Sequence, residues 1–185
     1  MINSILPAIP DLPIEDTEDG DILAPCEIKI FSNAQNVENC ELYAVFPYEL
    51  YGLGKDGLDI ARRTYDKRAY RHAGGWSQDP VDAALLGLES EVAAHLTRQS
   101  GMTDKRALFP AFWGPNFDET PDQDHGGMTS LGLMFALLHT NGNEYTAFPA
   151  WPKKWNVEFR LPLKRGVYIY GKQTDGQRTV WEEYL

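Results

Sequence analysis

The chain has 185 residues, 43% of them hydrophobic, and a formal charge of −10 at pH 7. This length and apolar content suffice for a folded domain with a buried core and argue against disorder. Acidic residues outnumber basic ones 27 to 17, which argues against nucleic acid as a partner because phosphates are bound mainly by Lys and Arg. The first residues carry no basic export signal, and the longest apolar run, Leu131–Leu138, is too short to span a bilayer. The sequence therefore predicts no membrane contact and leaves the compartment open.

The first 147 residues are predicted to be mainly helical with long loops. Met1–Asn39 is rich in Pro and acidic residues and predicts a long loop with a strand at Glu27–Phe31. Apolar residues at helical spacing predict helices at Glu41–Leu53, Asp56–Tyr70, Pro80–Arg98 and Met128–Thr140. The clearest is Pro80–Arg98, because Asp79 can cap it and Pro80 suits the first helical position. Helices of this size would expose apolar faces, which predicts that they form an arc of a larger protein.

From Tyr145 onward the pattern changes to that of β-strands. Strands are predicted at Tyr145–Phe148, Trp155–Leu161, Val167–Gly171 and Thr179–Tyr184. Asp175 and Gly176 predict a tight hairpin turn before the last strand. The predicted organisation is therefore a helical part at residues 1–147 and a small antiparallel β subdomain at residues 148–185.

The loop Phe112–Gly127 has the densest set of residues that could act on a ligand. It combines Asn116, Gln123, Asp124 and His125 with aromatic rings and two adjacent glycines. Cleavage of a glycosidic bond needs one carboxylate to activate water and another carboxyl group to protonate the leaving oxygen, and aromatic rings offer faces for sugar C–H groups. The alternative is a solvated acidic turn in which Asp124 or Thr129 caps the following helix. The spacing fits neither an EF-hand nor a zinc site, so no metal is predicted.

Two other segments could contribute to a site. Trp76, in the segment Gly74–Asp79, could stack on a sugar, although a glycine turn capped by Asp79 explains the same residues. Glu38 lies in a polar segment before the first predicted helix, where capping and a solvated face are the simpler explanation.

In this order, the segments resemble the C-terminal third of the catalytic toroid in glycoside hydrolase family 95, the α-L-fucosidase clan. Asn36–Gly52 (NVENCELYAVFPYELYG) resembles the family's H-R-H-x-S-H-L-Y-G-L-Y-P segment, and Gly75–Leu88 (GWSQDPVDAALLGL) resembles its G-W-S-x-A-W helix start. Pro115–Gly127 (PNFDETPDQDHGG) resembles P-N-L-F-D-A-H-P-P-F-Q-I-D-G-N-F-G-G, and Ala147–Trp155 (AFPAWPKKW) resembles L-L-P-A-L-P-x-x-W.

The resemblance implies a partial (α/α) toroid arc and an inverting glycosidase mechanism that needs no cofactor. Asp124 matches the family's water-activating aspartate and is the predicted general base. The implied substrate-binding residues are Trp76, Asp79, Asn116, Gln123, His125 and Glu38. The family's general acid, a glutamate, lies upstream of the matching region, so the chain is expected to be the C-terminal part of a larger enzyme and inactive alone.

The chain also departs from the family pattern. The family's histidines are replaced by Asn36, Glu38 and Asn39, and its G-N-F-G-G is replaced by the shorter His125-Gly126-Gly127. The identity of the sugar therefore stays open. Two other hypotheses stay open as well. One is a non-catalytic carbohydrate-binding or structural remnant of such an enzyme, and the other is an unrelated globular domain.

Overall fold

In a computed structural model, the chain is described at residues 9–27, 38–71, 77–101, 123–142, 144–164 and 166–185. The α-helices are α1 (Leu58–Lys67), α2 (Asp79–Leu85), α3 (Glu89–Gly101) and α4 (Gln123–Leu137), and a 3-10 helix at Cys40–Ala44 precedes them. The strands are β1 (Ile14–Glu15), β2 (Ile22–Leu23), β3 (Leu138–Asn141), β4 (Glu144–Ala147), β5 (Val157–Lys164), β6 (Val167–Thr174) and β7 (Gln177–Tyr184). They form three antiparallel sheets, in the orders β1-β2, β3-β4 and β5-β6-β7.

The prediction of a mainly α fold, a partial (α/α) toroid arc, is wrong. Helices make up 35% and strands 26% of the structure, which is a small mixed α/β domain. The predicted helix Pro80–Arg98 is two helices, because the chain turns at Gly87 with a positive φ of 70°. The guanidinium of Arg62 donates two hydrogen bonds, of 2.9 and 2.7 Å, to the Leu86 carbonyl oxygen at this break.

Two further helix predictions were too long. The predicted helix Glu41–Leu53 is the short 3-10 helix followed by turns, and Pro47, which lacks an N–H donor, falls just after it. The helix predicted to continue to Thr140 ends at Leu137, and the next four residues pair with β4 in an antiparallel hairpin. Strand β2 was not predicted, and the Leu23 N–H ties it to α1 by donating to Thr64 Oγ1 over 2.8 Å. The predicted strand Glu27–Phe31 lies, apart from Glu27, outside the described residues.

The core joins the helices to the sheets. Every residue of α2 is buried, and α4 crosses it so closely that a Cβ added at Gly132 would lie 2.8 Å from Pro80 Cβ. One cluster of buried apolar residues continues from the helices to the β5-β6-β7 sheet, where the rings of Phe148 and Phe159 meet edge to face at 5.2 Å. In the described part of the chain, no helix has the length and apolar character needed to cross a bilayer.

The three-stranded sheet agrees with the predicted β region. The hairpin turn at Asp175 and Gly176 is confirmed, since both residues have the positive φ angles, 50° and 79°, that such a turn requires. Buried Gln173 donates from Nε2 to the carbonyl oxygens of Pro152 and Trp155, which fixes the segment leading into β5. The boundary proposed between residues 147 and 148 stays a prediction.

Candidate functional site

The predicted base, Asp124, lies in the first turn of α4 and is exposed to solvent. One turn further on, a Cβ added at Gly127 would meet no atom of the described residues within 4 Å outside the backbone of its own helix. Gln123 and His125 belong to the same turn, but their side chains lie outside the described part of the chain. Trp76 and Asn116 also lie outside the described residues.

Asp79 has a different environment, because its carboxylate is buried in an ion pair. Arg68 Nε and Nη2 donate to Asp79 Oδ1 and Oδ2 over 2.9 and 2.8 Å. The two side chains are only 4% and 1% exposed, so water screens the pair weakly. Asp79 is placed there by the start of α2, where Pro80 occupies the first turn. The geometry gives Asp79 a structural partner.

Tyr65 and His95 extend this ion pair into a buried polar cluster. The Arg68 guanidinium lies 3.7 Å from the centroid of the Tyr65 ring, and the Tyr65 hydroxyl lies 2.9 Å from His95 Nε2. Burial lowers the pKa of His95, although the charge of Asp79, 3.8 Å from Nε2, acts in the opposite direction. Burial also raises the pKa of the Tyr65 phenol. The cluster therefore holds one ion pair among groups that stay neutral near pH 7.

Asp82 is the other buried acid of α2, one turn after Asp79. Burial raises its pKa well above the usual value, and the charges of Asp79 and Glu41 act in the same direction. Its Oδ1 has no hydrogen-bond partner within the described residues. We define Tyr65, Arg68, Asp79, Asp82 and His95 as the buried charge cluster. Sequence reasoning found only Asp79 of these five, although an acid among the apolar residues of a helix, as Asp82 is, could have drawn attention to α2.

Glu38 lies before the 3-10 helix and is half-buried. It affects Tyr43, whose pKa is raised to about 12, chiefly by burial and then by the charge of Glu38. The neighbouring Asn39 amide exchanges two hydrogen bonds, of 2.8 and 3.0 Å, with the backbone of Tyr70. This part of the predicted site is thus held against the chain that follows α1.

The structure does not bring Asp124 into the buried charge cluster. Helix α4 contacts Pro80 through Gly132, eight residues after Asp124. At a rise of 1.5 Å per residue, Asp124 lies about 12 Å from this contact along the α4 axis, towards the N-terminal end of the helix. Because Asp79 is also held by Arg68, it is not placed to act as the second carboxyl group beside Asp124.

No protein-family model and no curated protein matches the chain. Among the residues that the structure describes, no group of three or more His, Cys, Asp or Glu side chains is arranged to hold a metal ion.

Proposed function

We propose that the chain binds a carbohydrate at the surface around Asp124 and takes part in the hydrolysis of a glycosidic bond, with Asp124 as the general base. The observation that carries the proposal is the exposed carboxylate of Asp124 in the first turn of α4. A general base must be accessible to water, which supports Asp124 over Asp79, whose side chain is buried. The substrate class, a carbohydrate, is inferred from the sequence resemblance to the glycoside hydrolases.

The second candidate function is carbohydrate binding without catalysis. It is favoured by the bidentate pairing of Asp79 with Arg68, which argues against Asp79 as the general acid. Both functions require a sugar to bind near Asp124, and they differ in whether Asp124 changes the rate of a reaction.

Glycosyl fluorides separate the two functions, because fluoride leaves without protonation and the reaction needs only the base. The chain is expected to be inactive on ordinary glycosides, which need the missing general acid, but we expect it to hydrolyse one anomer of a suitable glycosyl fluoride faster than buffer does. Asp124→Asn should lower this rate by about 10²–10⁴-fold, the usual contribution of a general base, while keeping the fold. Asp66→Asn is the matched control, since it removes the same charge from an exposed position on α1.

Sugar binding is followed in parallel by NMR shifts of the Gly126 and Gly127 amides. Binding that survives in Asp124→Asn without any hydrolysis by the parent chain would favour the non-catalytic function. If neither binding nor hydrolysis is found with a panel of neutral and acidic sugars, or if the two variants behave alike, the carbohydrate proposal is wrong.

A further inference from the structure

A groove of about 710 Å³ lies between the start of α3 and the segment that leads into β5. Its volume falls within the range of roughly 300–1,000 Å³ that is usual for small-ligand sites. Leu88, Glu89, Lys153, Lys154 and Trp155 are among the residues that line it. None of these lining residues was part of the site predicted from the sequence.

Trp155 forms an apolar wall whose position is fixed before any ligand arrives. Its carbonyl oxygen accepts hydrogen bonds from Trp151 Nε1 over 3.0 Å and from Gln173 Nε2 over 2.7 Å. The two indole rings meet edge to face, with their centroids 5.5 Å apart. Trp155 is only half-buried and lines the groove, so part of its indole is available to a ring-shaped ligand. Because the wall is already ordered, binding costs little further entropy.

The charge of the groove is opposite to that of the whole protein. The lining includes three basic side chains, Arg62, Lys153 and Lys154, and one acid, Glu89, in a chain of net charge −10. The Glu89 carboxylate already has a hydrogen-bond partner, since Oε1 accepts a hydrogen bond from the backbone N–H of Lys153 over 2.7 Å. Both lysines are exposed. A positive groove in an acidic protein attracts anions against the field of the rest of the surface.

We propose that this groove binds a uronic acid residue of an acidic saccharide, with the pyranose ring against Trp155 and the carboxylate at Lys153 and Lys154. Helix α4 shows that this site is separate from Asp124. Its residue Ala136 accepts a hydrogen bond from the backbone N–H of Ala150, close to the groove, and lies twelve residues after Asp124. Asp124 is therefore about 18 Å from Ala136 along the helix axis. The saccharide class rests on the proposed function, but the site does not depend on catalysis by Asp124.

The test is calorimetric titration of the 185-residue chain with tri-galacturonate, and with neutral galactotriose and inorganic phosphate at the same concentrations. We expect binding of tri-galacturonate alone, weakened at high salt because exposed charges are screened. The double variant Lys153→Ser/Lys154→Ser should bind about tenfold more weakly. Trp155→Ala should abolish binding, and Trp155→Phe, which keeps an aromatic face, should retain it in part. Controls away from the groove are Lys172→Ser and Trp181→Ala, on the exposed side of the β5-β6-β7 sheet.

Equal binding of galactotriose would refute the role of the lysines, and equal binding of phosphate would show an anion site without sugar specificity. Tri-galacturonate binding that the lysine double variant leaves unchanged would also overturn the proposal, and this variant alters only exposed side chains. The glycosyl fluoride assay tests the function proposed for Asp124, and the lysine double variant tests the groove, so failure of one proposal is distinguished from failure of the other.

Discussion

Replacing Asp79 by Asn tests whether the buried charge cluster holds the helical part together. The substitution keeps the shape of the side chain but leaves the guanidinium of Arg68 buried without a counter-charge. Arg68 cannot avoid this by losing its proton. A guanidinium stays protonated in proteins, so the loss of the Asp79 charge leaves a buried positive charge. The free energy of unfolding must therefore fall.

The size of the effect follows from the burial of the pair. Arg68 and Asp79 side chains are 4% and 1% exposed, and removing one partner of such a pair typically costs about 3–5 kcal/mol. An Asn side chain can still accept one hydrogen bond from Arg68, which places the expected loss near the lower end, about 3 kcal/mol. Single domains are stable by only about 5–15 kcal/mol, so this loss is a large fraction of the total. With a urea m-value of about 2–3 kcal/mol/M, the unfolding midpoint should fall by about 1 M.

Urea unfolding followed by circular dichroism measures this shift. Glu183→Gln is the matched control, because it breaks the exposed ion pair with Arg160 and should leave the midpoint unchanged. The double variant Arg68→Met/Asp79→Leu should be more stable than Asp79→Asn, since it removes both charges. A midpoint for Asp79→Asn equal to that of the parent chain would refute the structural role. If sugar binding were lost at the same time, Asp79 would return to the ligand-binding role predicted from the sequence.

Two further predictions concern α2 and α4. Asp82→Asn should stabilise the chain relative to the parent by an amount that grows with pH. Above the ordinary carboxyl pKa of 3.8, the unfolded parent loses the Asp82 proton while the folded parent keeps it. The free energy of unfolding of the parent therefore falls as pH rises towards the raised pKa of Asp82. Urea midpoints of the variant and the parent at pH 5 and pH 8 measure the difference. A difference in midpoint that is smaller at pH 8 than at pH 5 would contradict the raised pKa of Asp82. Gly132→Ala should destabilise by about 1–3 kcal/mol, because the new Cβ would lie 2.8 Å from Pro80, whereas Gly127→Ala in the same helix should stabilise by up to about 1 kcal/mol. Thermal unfolding of both variants checks the packing of α4 on α2, and equal effects would contradict it.

Local sequence signals identified the elements whose shape is determined locally. The turn at Asp175 and Gly176 was predicted because its residue pair is specific to tight hairpins. Helix α1 and the last strands followed from their apolar spacing. The predictions failed where tertiary contacts determine the structure. The apolar run Leu131–Leu138 continues a helical pattern, and nothing in it marks the residue at which the helix ends and pairing with β4 begins.

The buried charge cluster could not be predicted for the same reason. The sequence offers Asp79 as a helix cap, but its partner Arg68 lies eleven residues earlier, beyond the end of α1. Tyr65 and His95 are thirty residues apart and meet only after α1 and α3 have packed. The family resemblance therefore implied a ligand-binding role for Asp79, where burial and pairing show a structural contact. Burial is a property of the folded chain, and no local pattern specifies it.

The distribution of charge separates the groups that maintain the fold from those that remain available to a ligand. Arg68 and Asp79 satisfy one another inside the helical part, whereas Asp124 and the lysines of the groove face solvent. Asp124 is at the start of α4, and Ala136, which contacts the chain three residues before Lys153, is about 18 Å away along the helix axis. One monosaccharide cannot reach both, so a ligand that contacts both must be an extended saccharide. If only short sugars bind, the chain has two independent sites, and losses caused by Asp124→Asn and by the lysine variant should add.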